Sequence, residues 1–288
     1  MKPEIIIIRY GEIGLKKNIT RKFFENKLVK NIKNSLEKQD ISFEIKQKRA
    51  RIYLISKQIE QCSKTLQNIF GITSFSPAYK TNSDKKSLEE TSLKIIKNKI
   101  TKDKSFALKV NRTGNHNFTS QDIAIFLGDS IQKNTKAAVN LSKPDTALFV
   151  EIIDKDAFLF FEKKPGIGGL PLGTQGKVLA YIDSREAILA AWFLMRRGCM
   201  PNFFVKQKNL FKTVEIFTKN WYCDCKYEKA EIKEEALKKK YDAIVTGSAI
   251  KDIETIKNLE KQSNMPVLHP LIGLDDEEIN NKMKSIGL

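Results

Sequence analysis

The chain has 288 residues, enough for about two domains, and 41% of them are hydrophobic, so it carries real cores and is not a disordered tail. Lysine and arginine total 51 against 34 acidic residues, and a net charge of +17 points to a polyanion partner, either nucleic acid or an anionic membrane surface. No apolar run approaches the roughly 18 residues of a membrane span, Ile5–Ile8 is too short for a signal-peptide core, and four cysteines do not make a disulfide scaffold, so the expectation is a soluble cytoplasmic protein.

The charge is uneven. Residues 1–165 hold 32 Lys and Arg against 18 Asp and Glu, while residues 166–288 hold 19 against 16. Solvated lysine-rich helix faces would give the same excess, so charge alone leaves both readings open.

In chain order, Ile5–Ile8 reads as a strand. Phe24, Leu28, Ile32 and Leu36 recur every fourth residue, with Phe23 and Val29 widening the stripe, as on an amphipathic helix. Ile52 and Leu54 alternate like a half-buried strand, and Ile59, Cys62, Leu66 and Ile69 mark a second helix ended by Gly71. This order fits a ferredoxin-like α+β unit over residues 1–75. Leu88 to Lys99 then reads as a helix, Phe106–Val110 as a strand, and Ile123, Leu127 and Ile131 as a helix capped by Ser120. Ala147–Ile153 and Ala157–Phe161 form a strand pair, closing a second α/β unit over 76–164. Residues 165–176 are dense in glycine and proline and read as a linker. Over 177–288, strands at Val178–Ile182, Asn202–Val205, Ala243–Thr246 and Val267-Leu268 alternate with helices, which argues a small parallel, Rossmann-like sheet.

Four segments carry a family resemblance: Arg9-Tyr-Gly-Glu-Ile-Gly-Leu-Lys-Lys-Asn18, Phe70-Gly-Ile-Thr-Ser-Phe-Ser-Pro77, the run from Gly166 to Leu179, and Asp242-Ala-Ile-Val-Thr-Gly247 followed by Pro266-Val-Leu-His-Pro-Leu-Ile-Gly273. In that order they resemble the tRNA 4-thiouridine synthetase, or tRNA sulfurtransferase, family. The resemblance implies a ferredoxin-like domain at 1–75, a THUMP RNA-binding domain at 76–164 and an adenylating PP-loop domain at 177–288. It also implies that residues 1–164 hold the acceptor end of tRNA. Lys109, Arg112 and His116, read as lying after a strand beside Gly114, are the leading tRNA-binding candidates; a solvated loop is the bland alternative. Arg9, Lys16 and Lys17 are further candidates, against a surface ion pair with Glu12.

The PP-loop departs from the family. Its motif, Ser-Gly-Gly-x-Asp-Ser, uses glycines so that backbone N–H groups can wrap ATP phosphates. Here the strand runs into Tyr181-Ile-Asp-Ser-Arg-Glu186, and Ser-Gly-Gly is absent. The β-carbons of Tyr181 and Ile182 stand where the backbone should approach phosphate. Asp183, Ser184 and Arg185, with Thr246 and Gly247, are a remnant ATP site; the alternative is an ordinary capped turn. Family members carry sulfur on a cysteine thiolate, which makes Cys223 and Cys225 the candidates for that role, beside a locally structural reading. With Cys199 they give three sulfurs, short of the four ligands a zinc or iron–sulfur site usually needs, so no metal site is assigned.

The reading is a tRNA-binding member of this family, acting in tRNA thiolation, whose own adenylation is lost or altered. It would work with a sulfur-donor or modifying enzyme, with no membrane partner, and as a homodimer if it follows the family. The alternative is an active ATP-dependent tRNA uridine sulfurtransferase using Asp183 near phosphate and Cys223 or Cys225 as sulfur carrier. A third reading, motivated by charge alone, is a non-specific polyanion binder.

Overall fold

The computed structural model describes residues 1–48, 50–224, 226–229 and 240–288. In chain order the elements are β1 (Ile5–Arg9), α1 (Asn18–Glu37), β2 (Glu44–Lys48), β3 (Arg51–Ile55), α2 (Ile59–Gln67), β4 (Ser74–Asn82), α3 (Lys85–Ile96), β5 (Phe106–Thr113), α4 (Ser120–Thr135), β6 (Thr146–Ile153), β7 (Asp156–Phe160) and β8 (Lys164–Pro165). They continue with β9 (Lys177–Ile182), α5 (Arg185–Arg196), β10 (Met200–Val205), α6 (Phe211–Asn220), β11 (Tyr227–Lys229), β12 (Ala243–Val245), α7 (Ile253–Gln262), β13 (Val267–Leu268) and α8 (Asp276–Ser285). The chain divides into two compact units. The first gathers Met1–Arg9, Asp40–Lys64 and Ser74–Pro165; the second gathers Tyr10–Gln39, Thr65–Thr73 and Gly166–Leu288.

The first unit is one eight-stranded sheet in the order β2-β3-β1-β4-β7-β6-β5, with β8 paired to β4. Only β5 and β6 run parallel. β1 pairs with β3 on one side and β4 on the other, and all five of its side chains are buried. That explains its uninterrupted isoleucines: a strand buried on both faces needs no polar alternation. Leu88 and Ile95 of α3 and Ile123, Leu127 and Ile131 of α4 pack with Leu148, Val150 and Ile152 of β6 and Leu159 of β7. These β6 residues are two apart, so α3 and α4 cover one face of that part of the sheet.

The second unit is built on a parallel sheet in the order β11-β10-β9-β12-β13. Its core centres on α5, where Ala187, Ile188, Leu189, Ala190, Ala191 and Trp192 are all buried. A helix apolar on every side is a core helix. The glycine- and proline-rich segment is bonded into this unit. Leu170 N–H donates to Arg196 O at 3.0 Å, and Gly173 N–H donates to Gly198 O at 2.8 Å. Gly169 has φ +74° and a Cβ there would lie 2.1 Å from Arg196 O, so no side chain fits.

Several expectations need correction. β2 and α6 are absent from the sequence reading; β2, Glu-Ile-Lys-Gln-Lys, lies at the sheet edge and is mostly exposed, so it has no apolar signature. α4 is capped by Thr119, not Ser120. The Thr119 hydroxyl accepts from Asp122 N–H at 3.1 Å, and the Asp122 carboxylate accepts from Thr119 N–H at 2.7 Å. Phe23 does not widen the buried stripe of α1; it is 55% exposed, one step around the helix from Phe24. β5 runs to Thr113, so Lys109 and Arg112 lie within the strand and not after it.

Candidate functional site

Side chains directly opposite across paired strands share a face. The register of β1, β3, β4, β7, β6 and β5 therefore places Arg9, Arg51, Ser76, Phe158, Phe160, Phe149, Glu151 and Lys109 on one face, opposite the one that α3 and α4 cover. Its hydrophobic cluster consists of strand side chains: Ile5, Ile7, Tyr53, Ala78, Ile153, Phe158 and Phe160, with Ile55 and Phe149. Phe149 and Phe160 stack at 5.1 Å, and Tyr53 and Phe158 stack at 4.9 Å.

Cationic side chains lie over these rings. Arg9 Cζ is 5.0 Å from the Phe160 centroid, while Lys163 Nζ and Lys109 Nζ are 4.9 and 5.6 Å from Phe149. Long basic side chains can shield apolar surface with their stems and keep their charge at the water boundary. Glu151 is buried among them. It accepts from Arg9 Nη2 at 2.7 Å, and Arg51 Nε lies 3.9 Å from its other oxygen. Arg9 also donates to Ser76 Oγ at 3.0 Å. Arg9 is thus an interior partner of Glu151, 8% exposed. Burial first, then Arg9, pulls the Lys163 ammonium below the usual lysine range, against the opposing pull of Glu151. Burial, followed by Glu151, pushes the Tyr53 phenol up to about 12.

Lys109 and Arg112 are three apart on β5 and so face opposite sides. The structure does not bring them together as one loop cluster. Arg112 turns into its own loop, donating to Gly114 O at 3.1 Å and to His116 Nδ1 at 3.2 Å. With Nδ1 accepting, His116 Nε2–H donates to Asp154 O at 2.6 Å. Gly114 has φ +111°, and a Cβ there would meet Asp154 Oδ1 at 2.7 Å, so this approach of loop and hairpin requires glycine. Phe118 packs beside His116 at 5.1 Å. In the second unit, Lys16 Nζ lies 4.7 Å from the Phe24 ring, and Lys17 is exposed.

The strand-to-helix turn lies at the carboxyl end of β9, flanked by β10 and β12. This is the position at which parallel α/β sheets commonly place ligands. By the spacing of Ser-Gly-Gly-x-Asp-Ser, the two glycines fall on Ala180 and Tyr181, one position earlier than Tyr181 and Ile182. Both lie inside β9, which stays paired with β10 through Ile182. Lys206 N–H closes the end of the strand on Ile182 O at 2.9 Å. Ser184 is the N-cap of α5, accepting from Ala187 N–H at 3.3 Å, and Asp183 and Arg185 are exposed beside it. Gly247 packs against the same helix start, since a Cβ there would lie 2.5 Å from Ala187 N. Thr246 is buried and bonded to His269 Nδ1 at 2.9 Å; burial pushes His269 down, with Glu260 opposing. Ser184, Glu186, Asp252 and Asp276 line a cleft of about 400 Å³, and Lys251, also lining it, is paired with Asp276 at 2.6 Å.

Cys223 is buried and disulfide-bonded, and Cys225 lies outside the described residues. Cys62 and Cys199 are free thiols, both pushed up by burial. Among the described residues no group of three His, Cys, Asp or Glu side chains is placed to hold a metal, and no helix is long and apolar enough to cross a membrane. The sequence reading missed Lys163, Arg51 and Glu151. For Arg51 and Glu151 the signal was the strand alternation that aligns them with Lys109, legible only once the pairing is known.

Three family models match: the ThiI ferredoxin-like domain over residues 5–76, the THUMP domain over 82–162, and the thiamine biosynthesis protein (ThiI) model over 206–288. Asp183, Ser184 and Arg185 fall between the second and third. A probable tRNA sulfurtransferase of Methanobrevibacter smithii is 35% identical, covering 100% of this chain and 87% of that protein. That alignment spans 337 positions, more than the chain has residues, so the relative carries segments within the matched span that are missing here. A probable tRNA sulfurtransferase of Methanocaldococcus jannaschii is 33% identical over 98% of this chain and 87% of its own length. The crystal structure of PH1313 from Pyrococcus horikoshii superposes with a TM-score of 0.86 at 27% identity, covering 99% of this chain and all of that one. A 4-thiouridine synthetase solved with RNA and ATP shares the fold, with a TM-score of 0.83 at 24% identity over 99% of this chain and 85% of its own. With the ferredoxin-like and THUMP parts in order ahead of a parallel-sheet domain, and a relative matched end to end, the chain belongs to the tRNA sulfurtransferase family.

Proposed function

We propose that this protein binds tRNA through its first unit and serves tRNA thiolation without adenylating the RNA itself. The observation that carries the second half is the continuous β9. Where the family motif has glycines that let backbone wrap phosphate, Ala180 and Tyr181 are held in ladder pairing. The cleft beyond Ser184 adds Glu186 and Asp252, whose carboxylates repel a polyphosphate, while its Lys251 and Asp276 are paired with each other. These residues do not fit ATP. The first half rests on family membership and on the cationic face around Lys109 and Lys163. Arg112 and His116 are a second contact region at the end of β5, with Lys16 and Lys17 as outlying ones; Arg9 acts from inside by holding Glu151.

The chemistry fits this division. Lys109 and Lys163 supply point charges for phosphate, and Arg112, steered by His116 and Gly114, offers a planar fork. Activation of the uridine carbonyl and delivery of sulfur then fall to a partner enzyme. Calorimetry of the purified protein with ATP, with and without tRNA, tests this reading. The expected result is tRNA binding with no ATP heat in either condition. Saturable ATP binding would favour the alternative, a self-sufficient sulfurtransferase with Asp183 near phosphate and Cys223 or Cys225 as sulfur carrier. Loss of thiolation in cells on changing both cysteines to serine would then locate the carrier.

A further inference from the structure

The start of α1 carries apolar side chains that the fold leaves in water. Leu15 closes a short 3-10 turn, Glu12–Leu15, just ahead of the helix and is 90% exposed. Ile19, in the first turn of α1, is 89% exposed, and Phe23 follows one helical turn later. A lone exposed apolar residue is ordinary on a protein surface, but three within nine positions mark a place that meets another molecule.

The packing of α1 does not account for them. At about 100° per residue, Phe24, Leu28, Ile32 and Leu36 centre on the buried side of the helix, and Ile19 and Phe23 fall on the opposite side. The one ring contact of Phe23 with the core is edge-on to Phe24, at 5.6 Å.

The same side of α1 is basic. In helical projection Lys30 falls between Ile19 and Phe23, and Lys22 and Lys27 flank them. Among the described residues none of these three lysines forms an ion pair, and Glu25, the acid between them in the chain, is held by Arg21 and by the Tyr10 hydroxyl. The apolar patch is therefore edged with uncompensated positive charge.

That combination separates the occupants. A second copy docked face to face would set these lysines against their own images, because a two-fold contact pairs a surface with itself. An RNA duplex would satisfy the lysines with phosphate but leave Leu15 and Ile19 unused, since they have no π face for a base to stack on and no hydrogen-bonding group. An apolar stripe bordered by carboxylates satisfies both features. We propose that this face of α1 docks a partner protein through an amphipathic helix, apolar on one side and acidic along its edges. The proposal does not depend on tRNA binding by the first unit.

Nuclear magnetic resonance on the methyl-labelled full chain tests it. The probe is a synthetic peptide of about 18 residues, long enough to form a helix, with leucines three and four positions apart on one side and glutamates on the other. It is expected to shift the Leu15 and Ile19 methyl groups saturably. A scrambled peptide of the same composition should leave them unmoved, and a peptide with lysine in place of glutamate should bind about tenfold more weakly. The double variant Leu15→Ser, Ile19→Ser should lose the acidic peptide; both side chains stand in water, so the rest of its spectrum should stay native. The triple variant Lys22→Gln, Lys27→Gln, Lys30→Gln should weaken the peptide about tenfold and flatten its salt dependence. The proposal is overturned if the acidic peptide moves neither methyl group, or binds no better than the scrambled one. It is equally overturned if an RNA hairpin or phosphatidylglycerol vesicles move these methyls where the peptide does not, or if the shifts follow protein concentration alone, which would make the occupant RNA, a membrane surface or a second copy.

Discussion

The cationic face of the first unit and the turn of the second have opposite electrostatic character. On the first unit, one buried carboxylate, Glu151, holds Arg9 and Arg51, and Lys109 and Lys163 stand over Phe149 with no acid assigned to them among the described residues. On the second, Glu186 and Asp252 line the cleft, and its Lys251 and Asp276 neutralise each other. A polyanion is drawn to the first and repelled by the second. One chain can carry two regions of opposite sign, because folding needs the buried strands and helices and not the charges on the turns between them.

Three variants put that contrast at risk. Glu151→Gln should act most strongly. Removing the acid leaves the Arg9 guanidinium buried without its counter-charge, which costs about 3–5 kcal/mol. Urea unfolding should show that loss, and an unchanged midpoint would mean that Glu151 does not organise the cationic face. Next is the alkaline limb of stability. The Tyr53 phenol is pushed up to about 12 in the folded protein from an unfolded value of 10.0. A raised folded value favours the protonated form, so its contribution is intact below pH 10 and is lost as pH rises toward 12. The loss is about 2 kcal/mol. Tyr53→Phe should abolish that pH dependence. It should cost little at neutral pH, because the buried hydroxyl has no hydrogen-bond partner among the described residues. The mildest change is Lys109→Gln with Lys163→Gln, expected to weaken tRNA binding about tenfold. It should also lower the slope of log affinity against log salt by about 1 for each phosphate no longer neutralised. Lys94→Gln with Lys97→Gln, on the face that α3 covers, carries the same charge change and should leave the slope unaltered.

Much of the fold was legible in the residues. The isoleucine run of β1, the four-residue stripe of α1 and the apolar run Ala187–Met195 inside α5 each lie where the structure has a buried element. The edge strand β2 carried none, since an edge strand facing water has no core to select its side chains. The candidate site was legible in parts. The absence of Ser-Gly-Gly was plain from the letters, and β9 pairing through Ile182 agrees with it. The cluster of Lys109, Arg112 and His116 was read as one loop, because whether a residue belongs to the end of a strand depends on a partner strand that is distant in sequence.

Composition, period and backbone freedom are local properties, and they set the kinds of element and their order, the excess of positive charge in the first half, the family motifs and the absence of Ser-Gly-Gly. Which charges meet was settled by the folded chain alone. Arg9 and Glu151 are 142 positions apart, and nothing near either one announces the other. Folding likewise parts Lys109 from Arg112 and brings Lys163 beside Lys109 over the Phe149 ring. Electrostatic and packing partners are chosen by strand register and helix docking, and those are settled by the burial of whole faces rather than by any one residue's neighbours in the chain.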